Sequence, residues 1–273
     1  MQKHLPAADM GAGSMQSVRI DEREIAFAVS GRGSPTVILE TGLGAESADW
    51  EMVERELACF SRVFRYDRAG RGMSSPARGP RDAHMIVDDL HRLLRAAGVP
   101  GPYLLVGQSL GGLLMRVYAQ RYPAEIAGLV LVDSMHEDQF AVFGPAFPPP
   151  LPSEPPALTE IRAFWTGGWK RPDSTAEHID LVQAIQQGRE VVSLGALPLH
   201  VITAGSYLHL PLVPADRRDS LQFLWEELQE RFLRLSSCAT QTLVRKSGHF
   251  VQRDDPGAVV EAVRDVLGRR KVT

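Results

Sequence analysis

Tyr103-Leu104-Leu105-Val106-Gly107-Gln108-Ser109-Leu110-Gly111 is the stretch whose reading decides the fold. It opens as a short apolar run and then places a serine between two glycines. A helical pattern follows, running toward Tyr122. A strand without polar alternation is expected inside a parallel sheet covered on both faces. A serine between such a strand and a helix sits on a tight turn. The flanking glycines are needed because a Cβ would collide where strand and helix cross. The turn exposes Oγ above the sheet and aims the helix N-terminus at whatever reacts there. The motif is short enough to arise by chance, and the bland alternative is a glycine-rich turn with an idle serine. The strand-turn-helix setting is what makes it informative.

Working outward, the same kind of run recurs. Thr36–Glu40, Arg62–Tyr66, Gly128–Val132, His200–Thr203 and Gln241–Val244 read as further strands, and Val18–Ile20 with Ile25–Val29 as an N-terminal hairpin. Ile86, Leu90, Leu93, Leu94 and Ala97 recur at helical spacing and stop before Gly98. Leu221, Leu224, Trp225, Leu228, Phe232 and Leu235 form a second stripe, and a last helix opens at Asp255-Pro256. Alternation of this kind predicts an α/β class, a doubly wound sheet. One stretch breaks it. Residues 134–197 show no convincing strand, and seven of the chain's 19 prolines lie between Pro145 and Pro156. An excursion of that length between core strands predicts an inserted lid with a stiff first segment.

Composition narrows the classes. The 273 residues are 44% hydrophobic and 23% charged, as in an ordinary folded chain. A net charge of −3 supplies no global basic field for nucleic acid or an anionic membrane. No apolar run approaches the ~20 residues a bilayer span needs. Cys59 and Cys238 form no CxxC pair, and no HExxH or paired His/Cys set suggests a metal. Residues 1–17 lack the apolar region of a secretory signal and read as a flexible leader, with Met15 an alternative start. Cytoplasm is the default expectation, and no cofactor is expected.

A serine hydroxyl needs a base to act as a nucleophile. His249, in Ser247-Gly248-His249-Phe250, falls between the last predicted strand and the last helix. That is a loop at the carboxyl edge of the sheet, where ligands bind in open α/β folds. His84, His91, His178, His200 and His209 have no comparable position.

With Tyr66–Ser74, Gly101–Gly112 and Ser247–Pro256 in view, the chain resembles the α/β-hydrolase superfamily of the serine-esterase type, over about Ile25 to Leu267. The resemblance implies a mostly parallel α/β-hydrolase sheet from residues 18–133 and 198–273, with a helical lid at 134–197. It implies oxyanion donors at the amides of Leu43 and Leu110. Gln108 stands where many members carry histidine, and Thr41-Gly42 where many carry His-Gly. The acid is less settled. The loop after the His200–Thr203 strand holds no carboxylate. Some members place the acid at the end of the preceding strand, where Asp133 stands. Asp133 is preferred, with Asp216, Glu137 and Asp138 as alternatives. The reaction implied is cleavage of a small-molecule ester, carboxylesterase-like, with Phe143, Trp165 and Trp169 as candidate substrate walls.

Other readings stay on the page. Thioester, peptide and carbon–carbon bond hydrolysis, or cofactor-free haloperoxidation, would use the same three residues. Ser109 excludes dehalogenase and epoxide-hydrolase mechanisms, which need a carboxylate nucleophile. A non-catalytic binding or signalling member is the alternative of another class. A dinucleotide fingerprint at Gly42-Leu43-Gly44 with Asp67 fails at its third glycine, where Ser47 stands.

Overall fold

The computed structural model describes residues 13–147, 155–211 and 213–269. The strands are β1 (Gln16–Ile20), β2 (Arg23–Ser30), β3 (Thr36–Glu40), β4 (Arg62–Tyr66), β5 (Tyr103–Gln108), β6 (Ile126–Val132), β7 (Leu199–Ala204) and β8 (Ala239–Val244). They form one eight-stranded sheet in the order β1-β2-β4-β3-β5-β6-β7-β8. β2 runs antiparallel to β1 and β4, and every other neighbouring pair is parallel.

Side chains alternate across the sheet and so feed two cores. Leu105, Leu129, Leu131 and Val201 point to one face, where they meet α2 (Ala83–Ala96) and α3 (Leu110–Arg121). Leu104, Val106, Val130, Val132 and Ile202 point to the other. There they meet α1 (Glu51–Ala58), α9 (Val251–Asp254) and α10 (Pro256–Arg269). Fully burying one such aliphatic side chain contributes about 1.5–3 kcal/mol. The helix ends are set locally. The Asp82 carboxylate accepts from Met85 N at the start of α2, and Asp255 accepts from Ala258 N at the start of α10.

Three differences from the sequence reading have physical causes. β1 begins at Gln16, inside the expected leader, because Gln16 and Ser17 pair with Phe27 and Ala26; residues 1–12 lie outside the described residues. α1 and α9 are too short for an apolar stripe to register in the sequence. Between β6 and β7 lie α4 (Gln139–Phe143), α5 (Pro156–Thr166) and α6 (Leu181–Arg189). Of these, α6 buries Leu181, Ala184 and Ile185 in the same core as α2 and α3. It therefore belongs to the helical layer of the sheet, and any insertion ends well before Leu197. Of the proline cluster, Pro148, Pro149, Pro150 and Pro152 lie outside the described residues, and with them most of the expected stiff segment.

Candidate active site

The turn after β5 is built as its residues require. Ser109 adopts φ 53°, ψ −119°, a conformation rarely tolerated by a residue with a Cβ. Gly107 and Gly111 flank it at points of close approach. A Cβ on Gly107 would overlap the Gly111 carbonyl, and one on Gly111 would overlap the carbonyls of Glu40 and Thr41. The serine backbone is pinned from both sides, donating from its N to Val132 O at 3.1 Å and accepting from Met135 N at 2.9 Å. Its side chain is half-buried at the N-terminus of α3.

Asp133 follows β6 directly, also with positive φ (44°), and is fully buried. Its Oδ2 lies 2.6 Å from Nδ1 of His249. His249 stands on the loop between β8 and α9, and its side chain is 37% exposed. Gln108 joins that loop to the turn, its Nε2 donating to the His249 carbonyl at 3.0 Å. Among the described residues no hydrogen bond links Ser109 Oγ to His249; unliganded sites often hold such pairs apart until substrate closes them. The Asp133 carboxylate has further donors that the sequence did not disclose. Oδ1 accepts from Ala204 N at 2.9 Å and from Trp225 Nε1 at 2.8 Å, and Oδ2 also accepts from Ser206 Oγ. Asp216 sits in the first turn of α8 (Ala215–Glu230) and makes no bond to His249. Glu137 instead pairs with Arg116 at 2.6 Å, and Asp138 with Arg189 at 2.8 Å.

Leu43 lies in the loop after β3, and Leu110 opens α3. Neither backbone N–H is taken up within the chain among the described residues. The Leu43 loop passes close to the serine: a Cβ on Gly42 would stand 3.2 Å from Ser109 Cβ. A buried cluster fixes this loop. Arg68 donates to Thr41 O and Gly42 O, both at 2.7 Å. It pairs with Glu40 at 2.5 Å and with Glu177 at 2.6 Å. Glu177 in turn accepts from Gly44 N at 2.8 Å. Tyr66 donates to Glu40, whose carboxyl is raised from its ordinary range by burial, against the pull of Arg68.

The expected substrate walls are placed differently from one another. Phe143 is fully buried, stacked on Tyr207 at 4.3 Å and edge-on to Trp225 at 5.8 Å, so it has no free surface to offer a ligand here. Trp165 and Trp169 pack against Phe140 and line a cleft of about 420 Å3 with Glu137, Ile185 and Arg189. Neither Ser109 nor His249 lines that cleft. The Asp67 carboxylate is occupied by Ser47 N (2.9 Å) and Met73 N (3.0 Å), which leaves it badly placed for a ribose. Among the described residues no group of three or more His, Cys, Asp or Glu side chains could hold a metal ion, and no helix is long and apolar enough to cross a membrane.

Residues 35–185 match the family model described as alpha/beta hydrolase fold. The uncharacterized protein YqjL of Bacillus subtilis is 28% identical over 244 residues, covering 86% of this chain and 85% of that one. The probable transporter efuK of Hormonema carpetanum is 29% identical over 276 residues; the match covers 86% of this chain and spans only 39% of that longer one. A thermophilic esterase from Thermogutta terrifontis superposes with a TM-score of 0.63 at 20% identity, over 95% of this chain and 98% of that one.

Proposed function

The chain belongs to the α/β-hydrolase fold family, and on that premise we propose that it is a serine hydrolase cleaving carboxylic esters. One observation carries the reading. Ser109 is held on a strained turn beside the end of β6, and the next residue after β6, Asp133, is hydrogen-bonded to a histidine at the same edge. Strain of about 1–3 kcal/mol persists only where the surroundings impose it, and it concentrates at functional sites.

In this mechanism His249 Nε2 takes the Ser109 proton as Oγ attacks the ester carbonyl. Asp133 holds the imidazole by Nδ1 and stabilises the cation that forms. The N–H groups of Leu43 and Leu110 receive the developing oxyanion. The tetrahedral intermediate collapses, and His249 gives its proton to the leaving alcohol. Water, deprotonated by His249, then releases the acid and frees Ser109. The proposed preference for small apolar or aromatic esters assigns Trp165 and Trp169, in the expected lid at 134–197, to the substrate path, although the cleft they line does not include Ser109 or His249. The esterase neighbour is consistent with this chemistry but, at its low identity, speaks for the fold alone.

A fluorophosphonate probe with mapping of the labelled residue tests the centre: adduct at Ser109, lost in Ser109→Ala, is the expected result. Absence of labelling in folded protein would favour a non-catalytic member. A panel of p-nitrophenyl esters of graded chain length, with amide and thioester analogues, tests the substrate class. A flat rate across chain length and aromaticity would remove Trp165 and Trp169 from the substrate path.

A further inference from the structure

Asp133 is held by more donors than a hydrogen bond to His249 requires. Its two oxygens accept from Ala204 N and Trp225 Nε1 on one side, and from Ser206 Oγ and His249 Nδ1 on the other. Ala204 ends β7, Ser206 opens the short helix α7 (Ser206–His209), and Trp225 projects from α8. These residues lie 71 to 92 positions from Asp133 in sequence, so the convergence is a product of the fold. The indole is fixed in turn. Its ring meets Phe143 and Tyr207 edge-on, each at 5.8 Å, and Phe143 stacks on Tyr207. Gln222, one turn earlier on α8, accepts from Tyr207 N and donates to Ala204 O. Two titratable groups face the carboxylate, His249 and Tyr207. The Tyr207 phenol is pushed well up by burial and then by the Asp133 charge, and it stays neutral.

We propose that Ser206 and Trp225 are positioning residues of this centre: they satisfy the buried Asp133 carboxylate and fix which of its oxygens faces His249. The proposal rests on the serine-hydrolase reading above. A carboxylate removed from water is costly unless its charge is hydrogen-bonded. Three donors besides His249 satisfy a fully buried Asp133. Remove one and the charged carboxylate, with fewer donors to share it, draws more strongly on the imidazolium. That leaves less free base at His249 on the acid side and displaces activity toward higher pH.

The test compares Ser206→Ala, Ser206→Thr and Trp225→Phe with the unaltered protein on a p-nitrophenyl ester. Ser206→Ala and Trp225→Phe are each expected to lower kcat about tenfold near neutral pH, the worth of one hydrogen bond to a charged group. KM should move little, and the acid limb of kcat/KM should shift upward. Ser206→Thr keeps the hydroxyl and should restore both kcat and the limb. An unmoved limb and unchanged kcat in Ser206→Ala and Trp225→Phe overturn the proposal. So does a limb displaced equally in Ser206→Thr and Ser206→Ala. If Trp225→Phe fails to fold, the two serine variants decide alone. Asp133→Asn separates this failure from that of the underlying reading. Full turnover in Asp133→Asn dismisses Asp133 as the triad acid, whereas its loss alongside unmoved Ser206 and Trp225 variants dismisses only the positioning role.

Discussion

Ser109 shows stability and chemistry pulling in opposite directions at one residue. Its φ of 53° and ψ of −119° suit glycine far better than serine. Ser109→Gly should therefore raise the unfolding free energy by about 1 kcal/mol while abolishing turnover. A thermal melt beside an ester assay checks both, and a lower melting temperature would mean that the turn is not strained. The acid gives a second contrast. Asp133→Asn should cost about 10⁴-fold in kcat, as an acid that fixes its imidazole does. Asp216→Asn, on an exposed helix start, should leave turnover unchanged. The reverse result would move the acid to Asp216. Ser109 and His249 were legible because each stands at a fixed place relative to a strand, and strands are readable from apolar runs. Ser206 and Trp225 were not, since nothing in a hydroxyl or an indole announces a carboxylate 73 or 92 residues away.

At the scale of elements, the loop after β3 is the part whose geometry is most dependent on distant residues. Arg68 grips its carbonyls, and Glu177 grips both Arg68 and the Gly44 amide. Glu177→Ala should therefore act twice. Leaving a buried guanidinium half-paired should cost about 3–5 kcal/mol of stability. A loosened Leu43 amide should also lower kcat about 10²-fold in the protein that remains folded, with KM little changed. If kcat per folded molecule is unaffected, the clamp is structural only. Glu177→Gln, whose one amide oxygen can keep the Gly44 N and Arg68 Nη2 contacts but loses the acceptor for Arg68 Nε, should fall between Glu177→Ala and the unaltered protein. Element reading succeeded for β3 and β4 to the residue because β-branched runs bounded by turns leave little freedom. It failed for α6, whose Leu181, Ala184 and Ile185 stripe is short and follows a proline-rich segment that suggested an excursion from the core. Whether a helix belongs to a sheet's own layer or to an insertion depends on what it packs against, and local periodicity carries no information about that.

For the molecule as a whole, stability should fall as the medium turns acid, in two stages whose order follows from where the charges are buried. The first belongs to His136, three residues beyond Asp133. Its imidazole is lowered from 6.5 to about 4, mainly by burial, with Arg116 and Arg231 acting in the same direction and Glu137 and Asp138 against. Its Nδ1 accepts a hydrogen bond from Asp138 N at 3.1 Å, which protonation would break. Between pH 6.5 and 4 the unfolded chain binds this proton and the native chain does not, so stability declines as pH falls through that window. The displacement is worth at most about 3 kcal/mol. The second stage begins in the ordinary carboxylate range and runs below it. Burial opposes ionisation of Glu137, but Arg116 together with His136 and a backbone hydrogen bond holds the group low; arginines likewise help hold down Asp88, Asp89 and Asp138 against burial. Their stabilisation is present above the unfolded values and is lost as pH falls through the lowered ones. Glu40, displaced upward, works the other way and offsets a little of this loss. Urea midpoints at pH 7, 6, 5, 4, 3 and 2 resolve the stages. His136→Gln should flatten the segment from pH 6.5 to 4 and leave the steeper fall below it in place. A midpoint that declines in parallel for both proteins across that window would show that His136 titrates in the native state as it does in the unfolded chain, and that its burial beside Phe232 is not maintained in solution.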